Sequence, residues 1–328
     1  MAKKLFRTKA VQLMEYLGFK VFLVKCILLI RNIKTKVRES IRISIIPLII
    51  KRRSSKGIYA INICNSNGFG AKLEWLLQIL VYCDENNLKP AIKFSYPDEK
   101  KSDYFLPFLS INPVYKTEKA CFTTIESITE LGWGKDFDAI LTFDLADSMI
   151  KKYLLIQQVI LEEVNNFCQE KMFNKNVLGI HYRGTDKSGE APTVPYAKVF
   201  DNVLYYLSLY PETDAIFLST DDNNFEKFAL KEFKQIPVIV RMDSFKSNDN
   251  TAIHLNKTVD KKNINRDAIV NCLILSRCTA LMKTSSFLSD WSKLFNLKMP
   301  VIMLNKPYES ALWFPARQIL NEVLFQAI

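Results

Sequence analysis

The richest run of reactive side chains in this sequence follows an apolar segment that is typical of a buried strand. The run Gly179-Ile-His-Tyr-Arg-Gly-Thr-Asp-Lys187 continues to Glu190. It brings five polar or charged side chains to one strand end: His181, Arg183, Asp186, Lys187 and Glu190. An arginine fork fits a phosphate group, a lysine adds a point charge, and a carboxylate can accept a proton. We interpret this run as a site for a phosphorylated ligand rather than as a surface turn with satisfied ion pairs.

Two other segments join a strand end to the start of a helix. Asn65-Ser-Asn-Gly-Phe-Gly-Ala71 contains Gly68 and Gly70, which allow backbone amides to approach a ligand. The helix that follows offers the positive end of its dipole to an anion. The turn Thr284-Ser285-Ser286 can cap a helix with its hydroxyls or hold a phosphate with the same groups. Taken singly, each segment is as consistent with a structural turn as with a binding site.

A fourth polar strand end is Ser219-Thr-Asp-Asp222. Asp222 has the position of a helix N-cap, a structural role that needs no ligand, and Asp221 is then left for another role. Because parallel strands end at one edge of a sheet, and open α/β sheets bind ligands at that edge, we expect these segments to lie close together.

The elements that must position these segments alternate along the chain from Gly57 onward. Predicted strands cover residues 58–64, 90–94, 177–181, 215–219, 238–241, 280–283 and 301–304. Predicted helices cover residues 71–87, 147–170, 196–209, 224–233, 264–276 and 286–295, and residues 95–137 are interpreted as loops around one or two short helices. Strands separated by such helices predict parallel βαβ units, so the fold class is α/β with two facing domains.

Composition supports a globular body with a distinct N-terminal segment. The 328 residues are 48% hydrophobic and 24% charged, which fits two domains with ordinary cores. Lys and Arg number 45 against 34 Asp and Glu, a net charge of +11. Residues 1–56 hold 15 of the basic residues and two Glu, a net +13, so the remaining chain holds 30 basic and 32 acidic residues, a net −2. A nearly neutral body argues against nucleic-acid binding.

Residues 1–56 interleave apolar patches with Lys and Arg. The longest uncharged run, residues 43–50, is far too short to span a membrane. The pattern predicts one or two amphipathic helices on an anionic membrane surface, with a basic helical subdomain packed on the body as the alternative. We therefore expect a cytoplasmic protein that is peripherally associated with the inner face of a membrane.

Cysteine and histidine usage restricts the chemistry further. The seven cysteines are far apart and form no CxxC pair, which indicates buried thiols in a reducing compartment. Two histidines, His181 and His254, cannot build a multi-histidine zinc site. We expect no metal and no cofactor.

The motifs, in their order along the chain, resemble those of the GDP-fucose-dependent fucosyltransferases of the α1,6 type. This family includes eukaryotic core fucosyltransferases and bacterial nodulation fucosyltransferases. Its motif His-x-Arg-Arg-Thr-Asp-Lys, with a Glu shortly after, is similar to His181-Tyr-Arg-Gly-Thr-Asp-Lys187 and Glu190. Its Ala-Thr-Asp-Asp motif is similar to Ser219-Thr-Asp-Asp222, its helix, strand and Thr-x-Ser turn to 266–286, and its Gly-rich loop to 68–73.

The resemblance covers residues 57–305 and implies a GT-B fold, in which two Rossmann-like domains face each other across a cleft. It implies an acceptor-side domain at 57–170, a donor-side domain at 171–328, and an inverting, metal-independent transfer from GDP-fucose to a glycan or glycolipid, such as a lipopolysaccharide. Arg183 would then neutralise the β-phosphate of the leaving group, Lys187 would support it, and Glu190 would be the base. The implied donor contacts are Gly68, Gly70, His181, Asp186, Asp221, Asp222, Asn271, Thr284, Ser285 and Ser286.

Two positions depart from the family pattern. Gly184 replaces the second Arg of the first motif, which removes one cationic contact. Asn271 stands where the family has an Asp, and an amide cannot accept two hydrogen bonds from a guanine edge as a carboxylate does. Another nucleotide sugar is therefore an open alternative for the donor.

Two further alternatives differ in class. A metal-dependent GT-A glycosyltransferase could use Asp136-Phe-Asp138 as an Asp-x-Asp metal motif. A non-catalytic, membrane-bound interaction module would make residues 1–56 the functional part. The several polar strand ends of an α/β body argue against the second alternative.

Overall fold

The computed structural model describes residues 57–98, 103–112, 123–124, 135–184, 187–247, 253 and 259–322. The predicted basic segment, residues 1–56, lies outside the described residues, and so does Asp186. The backbone of Lys187 is described, in a short 3₁₀ turn at Lys187–Gly189, but its side chain is not. None of the helices among the described residues is long and apolar enough to cross a membrane.

The first half of the molecule is built on a parallel sheet. Strands β1 (Ile58–Cys64), β2 (Lys89–Ser95) and β4 (Thr123–Thr124) are arranged in the order β2-β1-β4. Helix α1 (Phe69–Glu85) connects β1 to β2 and buries a row of leucines at helical spacing. The bounds of β1 agree with the prediction, and α1 begins two residues before the predicted start.

The second half has a five-stranded parallel sheet. Its strands are β6 (Val177–Tyr182), β7 (Ala215–Thr220), β8 (Val238–Val240), β9 (Ala280–Lys283) and β10 (Val301–Met303). Their order is β10-β9-β6-β7-β8, so the chain reverses direction across the sheet between β6 and β9. Such a switch point opens a crevice at the carboxyl ends of the two strands, where doubly wound sheets bind ligands.

The connecting helices of the second half lie close to their predicted bounds. They are α5 (Tyr196–Leu209), α6 (Asn223–Glu232), α7 (Lys261–Leu275) and α8 (Phe287–Phe295). The predicted α/β class with parallel sheets is therefore confirmed.

The single long helix predicted at residues 147–170 is wrong. The structure has helix α3 (Phe143–Tyr153), strand β5 (Leu154–Ile156) and helix α4 (Gln158–Lys171). β5 pairs antiparallel with β3 (Leu109–Ile111), which lies in the region predicted to be loops and short helices. Leu154, Leu155 and Ile156 fit either a helix or a short strand, and the pairing with β3 decides between them.

The two halves share one hydrophobic core. Helix α1 packs against α7 and α8, and Trp291 of α8 is fully buried among residues of both halves. The short helices α2 (Lys135–Ile140) and α9 (Ala316–Glu322) add polar links. Asp138 accepts hydrogen bonds from the N–H of Phe314 and from Arg317, and Gln318 accepts one from the N–H of Phe143. The chain thus returns to the first half after β10.

Candidate functional site

A cavity of about 280 Å³ lies between the two halves. Its walls come from the start of α1, the carboxyl ends of β6 and β7, one side of α7 and the start of α8. Eight of the predicted site residues line it: Gly68, Gly70, His181, Arg183, Glu190, Asp221, Asn271 and Ser286. The fold therefore brings together the polar strand ends that are far apart in the sequence.

Arg183 follows the end of β6 and is held from two sides. Its backbone N–H donates a 2.8 Å hydrogen bond to Oγ1 of Thr284, which lies at the end of β9. Its Nε lies 3.5 Å from Oδ2 of Asp221, and both side chains are mostly buried. Asp221 also accepts a hydrogen bond from the N–H of Gly184. These contacts position a cation at the cavity wall, where it can approach an anionic ligand.

The three residues of the Thr284–Ser286 turn have different surroundings: Thr284 and Ser285 are held by hydrogen bonds within the protein, and Ser286 lines the cavity. Thr284 is buried outside the cavity lining, and its N–H donates to the carbonyl of His181, which ties β9 to β6 at the switch point. The N–H of Ser285 donates to Oδ1 of Asn305. Only Ser286 lines the cavity, as the N-cap residue of α8.

Asp222 belongs to the framework beneath the cavity. Its Oδ1 accepts from the N–H groups of Asn224 and Phe225 at the start of α6, and Oδ2 accepts from the hydroxyl of Tyr196. The predicted N-cap is therefore confirmed. Both carboxylate oxygens of Asp222 are used by the protein. Asp221 and Asp222 are both predicted donor contacts, but only Asp221 lines the cavity, so the prediction for Asp222 is wrong.

His181 is a neutral side chain in the cavity wall. Burial, with the nearby cations of Lys283 and Arg183, lowers the pKa of His181 to about 3, so the imidazole is uncharged at neutral pH. His181 is 4% exposed, and its Nδ1 has no hydrogen-bond partner among the described residues. A buried polar atom without a partner is uncommon in proteins, which marks His181 as a residue whose position needs a functional explanation.

Two helix N-termini converge on the cavity. Helix α1 follows Gly68 and helix α8 follows Ser286, and neither N-cap residue makes a side-chain capping bond. Gly70 permits the two helices to meet, since a Cβ there would lie 2.7 Å from N of Leu288 and 2.8 Å from C of Phe287. Gly70 thus allows a close helix contact, as well as lining the cavity as predicted. The positive ends of both helix dipoles favour a bound anion.

An apolar wall with a polar edge closes the side of the cavity next to α7. Phe245, Ile253 and Ala268 supply apolar surface, while Asp267 and Asn271 lie one helical turn apart on α7. The sequence interpretation missed Asp267, although its i,i+4 spacing from Asn271 puts both on one helix face.

Asp267 is held rigidly by its neighbours. Its Oδ1 accepts hydrogen bonds from Arg241 at 2.8 Å and from Nδ2 of Asn271 at 2.9 Å. Its Oδ2 accepts one from the N–H of Phe245 at 3.2 Å. Burial raises the pKa of Asp267, and Arg241 opposes this. The carboxyl group is therefore fixed in orientation at the edge of the apolar wall.

The remaining predicted site residues are less completely described. Glu190 lines the cavity, and its carbonyl accepts a 2.8 Å hydrogen bond from the N–H of Tyr308. Asp186 and the side chain of Lys187 lie outside the described part of the chain. For the alternative Asp-x-Asp motif, the side chain of Asp136 is not described, and the buried Asp138 accepts bonds from Phe314 and Arg317, away from the cavity. Among the described residues, no group of three or more His, Cys, Asp or Glu could hold a metal ion.

No protein-family model matches the chain, and no curated protein matches it. Solved structures do match. The fold is similar to that of NodZ alpha-1,6-fucosyltransferase co-crystallised with GDP, with a TM-score of 0.48, 13% sequence identity, and coverage of 74% of this chain and 94% of that one. Fucosyltransferase NodZ from Bradyrhizobium gives a TM-score of 0.47 at 13% identity, with coverage of 74% and 95%. POFUT1 in complex with GDP-fucose gives 0.44 at 10% identity, with coverage of 75% and 97%.

Proposed function

We propose that this protein is a glycosyltransferase that moves a sugar, fucose in the first instance, from a guanosine diphosphate donor to a glycan or glycolipid acceptor. The observation that carries the proposal is the cavity at the switch point of the five-stranded sheet. There Arg183, His181 and the N-termini of α1 and α8 line one space. A helix N-terminus with a fixed arginine beside it suits a diphosphate.

The wall next to α7 suits the nucleobase. A planar base can lie against Phe245, Ile253 and Ala268. Guanine presents adjacent N–H donors along one edge, and a carboxylate can accept from such donors. Oδ1 of Asp267 is occupied by Arg241, Ser244 and Asn271, but Oδ2 accepts one hydrogen bond, from the N–H of Phe245, and can accept a second. Uracil presents a single N–H between two carbonyl oxygens. The carboxylate that the family motif would place at Asn271 thus lies one helical turn earlier, at Asp267, and the remaining acceptor position on Oδ2 is our reason to propose guanine over uracil.

The proposed reaction is a single displacement at the anomeric carbon of the donor sugar. The oxygen of an acceptor hydroxyl forms the new bond while the bond to the β-phosphate oxygen breaks, and the nucleoside diphosphate leaves with the electron pair. Glu190 accepts the hydroxyl proton, and Arg183, with Lys187, stabilises the negative charge on the leaving group. Attack from the face opposite the leaving group inverts the anomeric configuration, and Arg183 and the helix N-termini supply the positive charge without a metal.

Thermal shift with GDP, UDP and ADP tests the donor class, because a ligand that binds only the folded state raises the Tm. We expect GDP and GDP-fucose to raise the Tm of the full chain more than UDP or ADP at equal concentration. Asp267→Asn should reduce the difference between GDP and UDP. A larger shift with UDP would make the donor assignment wrong, and no shift with any nucleotide would favour a non-catalytic module. Donor turnover that EDTA abolishes and Mn²⁺ restores would contradict the metal-independent mechanism.

Residues 1–56 are proposed to hold the enzyme on an anionic membrane surface at the cytoplasmic face. The net charge of +13 and the interleaved apolar patches support this role. Removal of residues 1–56 should abolish co-sedimentation with vesicles of anionic lipid, while the full chain should bind these and not vesicles of neutral lipid. Retained binding by the shortened protein would show that the segment is not the anchor.

A further inference from the structure

Tyr96 links the first half of the molecule to the helix that forms the base-side wall of the cavity. It follows β2 directly and is buried. Its hydroxyl donates a hydrogen bond of 3.1 Å to Oδ1 of Asn265 on α7. Asn265 is also buried, and α7 carries Asp267 and Asn271 on the face that lines the cavity. The Tyr96–Asn265 bond therefore holds this helix against the first half.

The ring of Tyr96 is also held by α1, the helix that begins at the opposite wall of the cavity. Lys72, in the first turn of α1, places its Nζ 3.5 Å from the centroid of the ring and donates a 2.8 Å hydrogen bond to the carbonyl of Ser95. Lys72 is fully buried. Tyr104 packs edge-on against the ring, with centroids 5.1 Å apart and an interplanar angle of 81°. A continuous set of contacts thus runs from the start of α1 through Tyr96 to α7.

We infer that Tyr96 is a positioning residue that sets the separation between the α1 and α7 walls of the cavity through its hydrogen bond to Asn265. A nucleoside diphosphate that contacts both walls needs them at a fixed distance, because its phosphates lie at one wall and its base at the other. The inference rests on the proposed function for the identity of this ligand. The hydrogen bond itself is independent of that identity.

The test is Tyr96→Phe, which removes the hydroxyl and keeps the ring under Lys72. The matched control is Tyr153→Phe, because Tyr153 is also buried and its hydroxyl donates a 2.7 Å hydrogen bond to Asp84 within the first half, away from the cavity. Calorimetric titration with GDP and the rate of GDP-fucose turnover are measured for both variants, together with their Tm.

We expect Tyr96→Phe to weaken GDP binding about three- to tenfold, which is the range for loss of one hydrogen bond. Tyr153→Phe should leave the Kd for GDP within about twofold while lowering the Tm to a similar degree. Asn265→Ala should weaken GDP binding like Tyr96→Phe, and the double variant should be no weaker than either alone, since both remove the same bond. Equal Kd values for Tyr96→Phe, Tyr153→Phe and the unchanged protein would overturn the inference.

Hydrogen exchange separates failure of this inference from failure of the proposed function. If the unchanged protein binds no GDP, the donor proposal fails. The positioning role of Tyr96 is then tested by the exchange rates of the α7 amides, measured without ligand. Faster exchange in residues 261–275 in Tyr96→Phe than in Tyr153→Phe supports the positioning role. Equal exchange in the two variants contradicts it.

Discussion

At the scale of single residues, Arg183 is the cation on which the proposed mechanism depends. The Arg183 side chain is 18% exposed, and Asp221, the carboxylate beside it, contacts Nε at 3.5 Å. A hydrogen bond from its own N–H to Thr284 fixes the backbone from which the side chain extends. Asp221 and Thr284 therefore help to fix the orientation of the guanidinium at the cavity wall.

Arg183→Ala should lower donor turnover by about 10²-fold or more, because one fixed charge that stabilises the leaving group is removed. Arg183→Lys should recover part of this loss, since it restores the charge but not the forked geometry. Turnover of GDP-fucose and the Tm are the measurements. Arg277→Ala, at an exposed arginine beyond the end of α7, is the control and should change neither. Undiminished turnover in Arg183→Ala would contradict the proposed mechanism.

The polar strand ends made much of the candidate site predictable. His181, Arg183 and Glu190 lie in one short run, and the rule that parallel strands end at a common edge brings Asp221 and Ser286 to them. Asp267 and Phe245 could not be predicted in the same way. Phe245 comes from a loop without periodicity. The i,i+4 spacing from Asn271 places Asp267 on the same helix face, but its contact with Arg241 is known only from the structure.

At the scale of elements, the site depends on how closely helices α1 and α8 approach each other. Gly70 lies where a side chain would meet backbone atoms of Phe287 and Leu288, and backbone cannot move aside as a flexible side chain can. Gly68, at the N-cap of the same helix, provides no side chain to occupy the helix end. The close contact at Gly70 thus allows both helix N-termini to line the same cavity.

Gly70→Ala should force α1 and α8 apart by a few tenths of an ångström and destabilise the fold by about 1–3 kcal/mol, the usual cost of overpacking. GDP affinity should fall as well, because both helix N-termini are displaced from the ligand. Gly189→Ala is the matched control, since a Cβ there meets nothing within 4 Å. The Tm and the Kd for GDP are the measurements, and an unchanged Kd in Gly70→Ala would show that the contact does not position the site.

Elements whose sequence pattern agrees with their packing were predictable, and those decided by distant pairing were not. Helix α5 at Tyr196–Leu209 has the predicted bounds because its apolar positions recur at helical spacing and Pro195 precedes it. Strand β5 was missed because its pairing partner β3 lies more than 40 residues earlier, and nothing in Leu154–Ile156 indicates that partner. The short length of both strands leaves the pattern ambiguous.

At the scale of the whole molecule, the two halves meet through a core that contains buried ionisable groups. Glu74 of α1 is buried where this helix packs against α8. Lys283 and Asp290 form a fully buried ion pair under the start of α8, and Asp138 joins α2 to Arg317 of α9. These ionisable groups lie where the halves meet, so the packing between the halves should depend on pH.

The stability of the molecule should fall as pH rises because of Glu74. Burial is the main cause that raises the pKa of Glu74 well above 4.5. The carboxyl groups of Asp138 and Asp290 raise it further, while Gln78 and Arg317 lower it. The folded state therefore keeps a proton that the unfolded state releases above about pH 4.5. By linkage, the contribution of this proton to the free energy of unfolding is fully present below that pH. It is lost as pH rises toward the folded-state pKa, by up to about 1.4 kcal/mol per pH unit.

Glu74→Gln mimics the protonated carboxyl group at every pH, so the Tm of this variant minus that of the unchanged protein should increase from pH 5 to pH 8. Glu170→Gln, at an exposed glutamate of α4, is the control and should give a difference that does not vary with pH. Comparison with the unchanged protein cancels the titration of all other groups that the substitution leaves alone. A constant difference for Glu74→Gln across this pH range would mean that Glu74 is ionised in the folded state. The contact between the halves would then tolerate a buried charge.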